Sequence, residues 1–189
     1  MKERAYKRMT LAELEALEER TGQRHELWQG QPVAMTGGTA AHNLVALGLY
    51  RAVFPQLKPN CRAFVADVKL RLGEADDSDT AYPDMMVVCN PLTGNQQTRA
   101  VLVAEVLSDS SVRRDRVDKL RAYGALDSLQ VYLILSQQDV EADVYLRANQ
   151  WQRERYQGLA TTIELPALEM RLALGDIYAD VLADLGYQM

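Results

Sequence analysis

Apolar positions along this chain recur with two periods, and the switching between them lays out an alternation of helices and strands. Thr10 is followed three residues later by Glu13, a capping-box signature, and Leu11, Leu14 and Leu17 then recur at helical spacing. This predicts a helix to about residue 20. Residues 25–29 and 31–35 read as two short strands about Gly30, and the Gly37-Gly38-Thr39 loop leads into a helix over 40–54 that Pro55 and Pro59 close. From 62 to 72 the alternation is regular: Phe64, Ala66, Val68, Leu70 and Leu72 share one face, and Val65, Asp67, Lys69 and Arg71 the other. One half-buried strand is expected there, then a solvated acidic turn over 74–79. Residues 84–89 read as a strand, 90–99 as a loop and 100–107 as a nearly all-apolar central strand. A helix over 112–126, a strand over 131–135, a hairpin of 140–146 and 151–156 over Asn149, and a terminal helix over 174–185 complete the pattern. No repeat or linker divides the chain, so the expectation is one α/β (α+β) domain over 1–189, a mixed central β-sheet flanked by helices.

Composition changes this picture only at its margins. Apolar residues make up 48% and charged residues 25%, ordinary globular usage. The two cysteines, Cys61 and Cys89, form no CxxC pattern, so free thiols in a reduced, cytoplasmic chain are expected over a disulfide scaffold or a zinc site. The basic amino end runs into a charged helix and not a signal-peptide core, and no run of ~18 apolar residues is present to span a bilayer. No membrane role is expected. A net charge of -5 means that any contact with nucleic acid must come from a local patch.

Three residues break the pattern in a way that suggests chemistry. Glu105 shares a face with Val101, Val103 and Leu107 in a strand too apolar for an exposed edge, and a buried carboxylate needs a partner. An ion pair with an arginine is the plain alternative. Asp84 follows Tyr82-Pro83 at the mouth of the neighbouring strand in sequence, where adjacent pairing would let the two carboxylates converge. Such hard oxygen ligands suit Mg²⁺ or Mn²⁺. Lys119 falls inside the apolar arc of its helix, between Val112, Tyr123 and Leu126. Either it pairs within the helix with Asp115, or it points at the two carboxylates. A metal between Asp84 and Glu105 with an ammonium beside it favours hydrolysis of a phosphodiester. Arg113, Arg114, Arg116 and Arg121, with Arg62, Lys69 and Arg71, could contact a nucleic-acid backbone or be ordinary surface charges.

Several ordered motifs resemble the PD-(D/E)XK nuclease superfamily, and more closely the Uma family of restriction-endonuclease-like proteins. They are Met9-Thr10-Leu11-Ala12-Glu13-Leu14, His25-Glu26-Leu27-Trp28-Gln29-Gly30, Ala41-His42-Asn43, Ala66-Asp67-Val68-Lys69-Leu70-Arg71-Leu72, Tyr82-Pro83-Asp84, Val103-Ala104-Glu105-Val106-Leu107-Ser108 and Asp115-Arg116-Val117-Asp118-Lys119-Leu120-Arg121-Ala122-Tyr123. The resemblance implies a restriction-endonuclease-like fold. It makes Asp84 and Glu105 the acids of the two catalytic motifs, with Leu107 where the superfamily pattern has lysine and Lys119 as the relocated lysine. It adds Glu26 as a further catalytic acid and the Val106 carbonyl as a further metal ligand. His42, Arg113 and Arg116 become candidate substrate contacts, and Asp67 a pairing residue. Gln31 and Asp109 depart from the residues the family often carries at those places.

The function expected from residues and resemblance together is a Mg²⁺-dependent endonuclease, with Mn²⁺ as a substitute, that cuts DNA as a homodimer. A nuclease-derived binding or assembly module without turnover is the alternative from another class. A phosphodiesterase of small nucleotides or RNA is a third.

Overall fold

The structure is a computed structural model that describes residues 8–35, 37–89, 96–107 and 118–187. Helix α1 (Leu11–Thr21) carries the expected capping box, in which Thr10 Oγ1 accepts the Glu13 N–H and the Glu13 carboxylate accepts the Thr10 N–H. Strands β1 (His25–Trp28) and β2 (Gln31–Ala34) form a hairpin whose two turn residues, Gln29 and Gly30, both have left-handed φ, at 52° and 77°. That is the tight turn whose twist matches paired strands. Thr39 caps α2 (Ala40–Val53) through the His42 N–H.

The expected strand over 62–72 is two strands in different sheets, β3 (Arg62–Val65) and β4 (Lys69–Arg71). Between them Ala66 and Asp67 take φ of 51° and 54°. Non-glycine residues in the left-handed region leave no mark on an alternation pattern, so the break was invisible to it. The turn is fastened by the Ala66 N–H on the Asp84 carbonyl at 3.1 Å. β5 (Thr80–Ala81), β6 (Met85–Val88), β7 (Gln96–Gln97) and β8 (Ala100–Leu107) follow, then α3 (Leu120–Gly124); of the helix expected over 112–126, residues 112–117 lie outside the described residues and 125–126 lie past the end of α3. The hairpin expected over Asn149 is present as β10 (Glu141–Leu146) and β11 (Arg153–Gln157), after β9 (Val131–Ser136). A second hairpin, β12 (Thr162–Leu165) and β13 (Met170–Ala173), was not foreseen. The expected terminal helix is regular only over α4 (Leu174–Tyr178) and continues as turns.

One mixed sheet has the order β11-β10-β9-β8-β6-β3, with β8 and β9 parallel and the other neighbours antiparallel. A second sheet has the order β2-β1-β5-β4-β7. Alternate residues of the central strands feed two cores. Met85, Val87, Leu102, Ala104, Val106, Leu133 and Leu135 pack with α2 and α4, while Met86, Val103, Leu107, Tyr132 and Ile134 pack with Tyr123 of α3. Gly48 of α2 meets α4 so closely that an added Cβ would stand 1.9 Å from the Ile177 carbonyl oxygen. Only glycine permits this approach.

The cysteines correct the free-thiol expectation. Antiparallel pairing of Arg62 with Val88 sets Cys61 opposite Cys89, and their sulfurs are joined in a disulfide. Strand register, not sequence spacing, brings them together, and the compositional ground for a cytoplasmic placement goes with the free thiols. Among the described residues no helix is long and apolar enough to cross a membrane.

Candidate active site

The register of β6 against β8 builds the centre of the site. Met85 pairs with Ala104, so Asp84 and Glu105 are the next residues facing one another beyond that pair. Glu105 lies on the face whose apolar residues pack with α3, as alternation along β8 predicts. It is 6% exposed.

Each carboxylate uses one oxygen on the protein. Asp84 Oδ2 accepts the Val106 N–H at 2.7 Å and lies 3.1 Å from His42 Nε2. Glu105 Oε1 accepts the Tyr123 hydroxyl at 2.6 Å and the Lys119 ammonium at 3.1 Å. Among the described residues, no donor reaches Asp84 Oδ1 or Glu105 Oε2. Glu26 differs. Its Oε1 accepts the Tyr82 N–H at 3.1 Å and lies 3.5 Å from Lys119 Nζ, while its Oε2 accepts the Trp28 indole N–H at 2.8 Å. Glu26 is thus engaged on both oxygens and shares Lys119 with Glu105.

Lys119 opens α3 and is buried, so its inward aim follows from its place in the apolar arc. Tyr123 stands one helical turn later on the same face, which is how both donors reach one carboxylate oxygen. Sequence reasoning saw Tyr123 only as part of the apolar face. A tyrosine one turn after a misplaced lysine was the available signal. Burial raises the Tyr123 phenol well above its ordinary value and the negative charge of Glu105 adds to this, so the hydroxyl stays protonated and donates.

Burial pushes Glu105 up to about 8; Lys119 opposes the rise, the charges of Asp84 and Glu26 add to it, and the Tyr123 hydrogen bond opposes it. Among the described residues three carboxylates share one lysine. His42 is a further cationic group beside them, its pKa raised by the bond to Asp84 against the effect of burial. Gly38 makes room for this histidine, since a Cβ there would lie 2.7 Å from His42 Nδ1.

Among the described residues no group of three or more His, Cys, Asp or Glu side chains converges in a way that could hold a metal. That excludes from them a closed zinc-type cage. Two carboxylates, each with one oxygen that no described donor reaches, fit a hydrated hard cation, which keeps several waters and needs one or two carboxylates. The donor set therefore suits Mg²⁺ or Mn²⁺. The Val106 N–H is committed to Asp84. Asp67 is exposed and pairs with Arg24 at 2.9 Å. Arg113 and Arg116 lie outside the described residues.

Comparison with known proteins agrees with this architecture. A solved structure described as "a putative nuclease belonging to DUF820" from Anabaena variabilis superposes with a TM-score of 0.70 over 90% of this chain and 98% of that one, at 18% identity. The fold is thus restriction-endonuclease-like, a mixed sheet flanked by helices. Two uncharacterised proteins of Synechocystis are similar in sequence. One is 31% identical over 167 residues, 85% of this chain and 86% of that protein; the other is 29% identical over 170 residues, 86% and 95%. The family described as "Putative restriction endonuclease" matches residues 11–175, and on that match and the 31% identity this chain belongs to the Uma2 family.

Proposed function

We propose that this chain is a divalent-metal-dependent endonuclease that hydrolyses phosphodiester bonds in DNA, using Mg²⁺, with Mn²⁺ as a substitute. The observation that carries this reading is the division of labour within each carboxylate. Asp84 and Glu105, at the next positions beyond the Met85–Ala104 pair, anchor one oxygen apiece on the protein, and no donor among the described residues reaches the other. Two structural ion pairs would be expected to use all four oxygens.

Asp84 Oδ1, Glu105 Oε2 and the Val106 carbonyl would hold the ion. When bound, it polarises the scissile phosphate and lowers the pKa of a coordinated water. Val106 and His42 keep Asp84 in one orientation through the bonds to Oδ2. Tyr123 does the same for Glu105. Lys119, held between Glu105 and Glu26, places a fixed positive charge beside the position where negative charge develops on the phosphate. His42, protonated more readily than a free imidazole, adds a second donor on the side of Asp84. We further propose that one domain carries this site and that a homodimer provides two of them for two strands. Arg113 and Arg116, with His42, are proposed contacts to the substrate.

Nicking of a supercoiled plasmid by the purified chain tests the reading. The expected result is cleavage that requires Mg²⁺ or Mn²⁺ and stops with a chelator. Undiminished cleavage by Asp84→Ala or Glu105→Ala would refute it. A second reading, a nuclease-derived module without turnover, is favoured by the acidic net charge of -5. Titration calorimetry separates the two, because Mg²⁺ binding that disappears in Asp84→Ala is required by the first and absent from the second.

A further inference from the structure

The side of α3 that does not face Glu105 borders a hollow of about 750 Å³. Leu120 and Gly124 form one wall, Tyr145 and Trp151 the other, and Arg121 and Arg153 stand at the rim. Among the described residues no carboxylate lines it. The nearby acid Asp143 is buried and held by Arg155 at 2.9 and 3.2 Å, with Arg153 at 4.0 Å. An apolar floor with arginines around it, on a chain of net charge -5, is a local exception to the molecule's overall sign.

Trp151 is held rigidly in this groove. It and Gln150 both take left-handed φ, at 61° and 59°, and the Trp151 N–H bonds the Leu146 carbonyl at 2.9 Å. The Arg147 guanidinium covers one face of the indole at 5.1 Å and is itself tied to the carbonyls of Leu129, Gly124 and Leu126. Gly124 lets the ring lie against α3, since a Cβ there would stand 3.3 Å from Trp151 Nε1. Tyr145 stacks on Tyr132 at 5.8 Å, Tyr132 meets Tyr123 edge-on at 5.1 Å, and Tyr123 bonds Glu105. Packed rings thus run from the groove to the carboxylates.

We propose that this groove is a base-binding subsite that takes an unpaired nucleobase of a single-stranded segment, stacked on Trp151, with the adjoining phosphates against Arg121 and Arg153. The inference rests on the reading of the Asp84–Glu105 site as one that acts on nucleic acid, and it adds to that substrate an unpaired segment adjoining the cleaved strand. Rigid aromatic surfaces with a cationic rim are how sequence-tolerant proteins hold single strands, because every base offers a π-face. A base inside a duplex is already stacked on both faces and cannot enter a concave hollow without leaving the helix.

The test is binding of a fluorescent thymidine oligonucleotide, single-stranded or annealed to its complement, measured by anisotropy in a chelator so that no cleavage intervenes. The expected result is tighter binding of the single strand, weakened about tenfold or more by Trp151→Ala and largely retained by Trp151→Phe. Circular dichroism checks the fold of each variant. If Trp151→Ala fails to fold, the double reversal Arg121→Glu with Arg153→Glu, both at exposed positions, takes its place with the same expected loss. Single-strand affinity unchanged in the folded variants overturns the proposal, as does equal affinity for duplex; a groove that instead receives a protein segment gives the first of these results. Trp151-dependent binding without plasmid nicking would refute the nuclease reading alone, and nicking with Trp151-independent binding would refute the subsite alone.

Discussion

Among the described residues two buried lysines pair with glutamate, and the two settings behave oppositely. Lys69 bonds Glu18 at 2.8 Å, and Lys119 bonds Glu105 at 3.1 Å. Both lysines are buried. Around Glu18 the groups are balanced: the His25 N–H and the Tyr82 hydroxyl reach Oε1, and Lys69 and the same hydroxyl reach Oε2. Burial alone would raise this carboxyl, but the His25 N–H, Lys69 and Tyr82 outweigh it and hold the pKa below its ordinary value. Around Glu105 one lysine serves two glutamates with Asp84 alongside, and the carboxyl is driven up. A carboxylate with both oxygens satisfied is part of the scaffold. One with an oxygen that no described donor reaches, and with further acids around it, is where the proposed cation would bind.

The sharpest way to break this contrast is to remove charge from each pair in turn. Asp84→Ala and Glu105→Ala should lower metal-dependent plasmid nicking by about a thousandfold or more, consistent with loss of metal-borne catalysis worth several kcal/mol, whereas Glu18→Gln should leave nicking unchanged at temperatures where the variant stays folded. Next in size, Lys69→Ala should reduce unfolding free energy in urea by about 2 kcal/mol because it removes a charged hydrogen bond from the partly buried Glu18 carboxylate. Calorimetric Mg²⁺ affinity should be unaltered in the same variant. Lys119→Ala should reverse that order, impairing turnover more than metal binding.

A finer cut is Tyr123→Phe, which keeps the ring and removes one donor from Glu105. Turnover should fall about tenfold with little loss of stability, and an unchanged rate would show that the hydroxyl does not orient Glu105. The smallest expected effect concerns acid stability. Because the Glu18 pKa is depressed in the folded state, its contribution is complete above its ordinary value of 4.5 and is lost as pH falls through the lowered value. Between about pH 6 and about pH 3, wild type should therefore lose more stability than Glu18→Gln in urea titrations. Equal losses would mean that Glu18 is no better paired than an exposed carboxylate.

The two pairs were unequally legible in the sequence. Glu105 and Lys119 stood out because each interrupts an apolar surface, and the register of β6 and β8 then required no more than that neighbouring strands pair. Glu18 did not stand out, and Lys69 was read as a surface charge or a nucleic-acid contact, whereas it is buried. Their burial depends on the turn at Ala66 and Asp67, which redirects the chain between sheets through backbone angles that residue type did not announce. For the same reason Trp28 was not read as a ligand of Glu26, nor Cys61 as a partner of Cys89, since both contacts follow from geometry that periodicity does not encode. The hairpin of β12 and β13 is stabilised by packing against α2, a helix far away in sequence.

The Cys61–Cys89 bond turns the stretch between its ends, 28 residues apart in sequence, into a covalent ring. Within that ring lie β4, β5, Asp84 and the exposed tip at Glu74, Ala75 and Asp76. A protease that clips the tip leaves Glu26 on one fragment and Asp84 on the other, yet the two remain one molecule until a reductant is added. Nicked protein should run as a single band without thiol and as two with it, so one peptide bond at the tip can be dispensed with while the acids remain tethered.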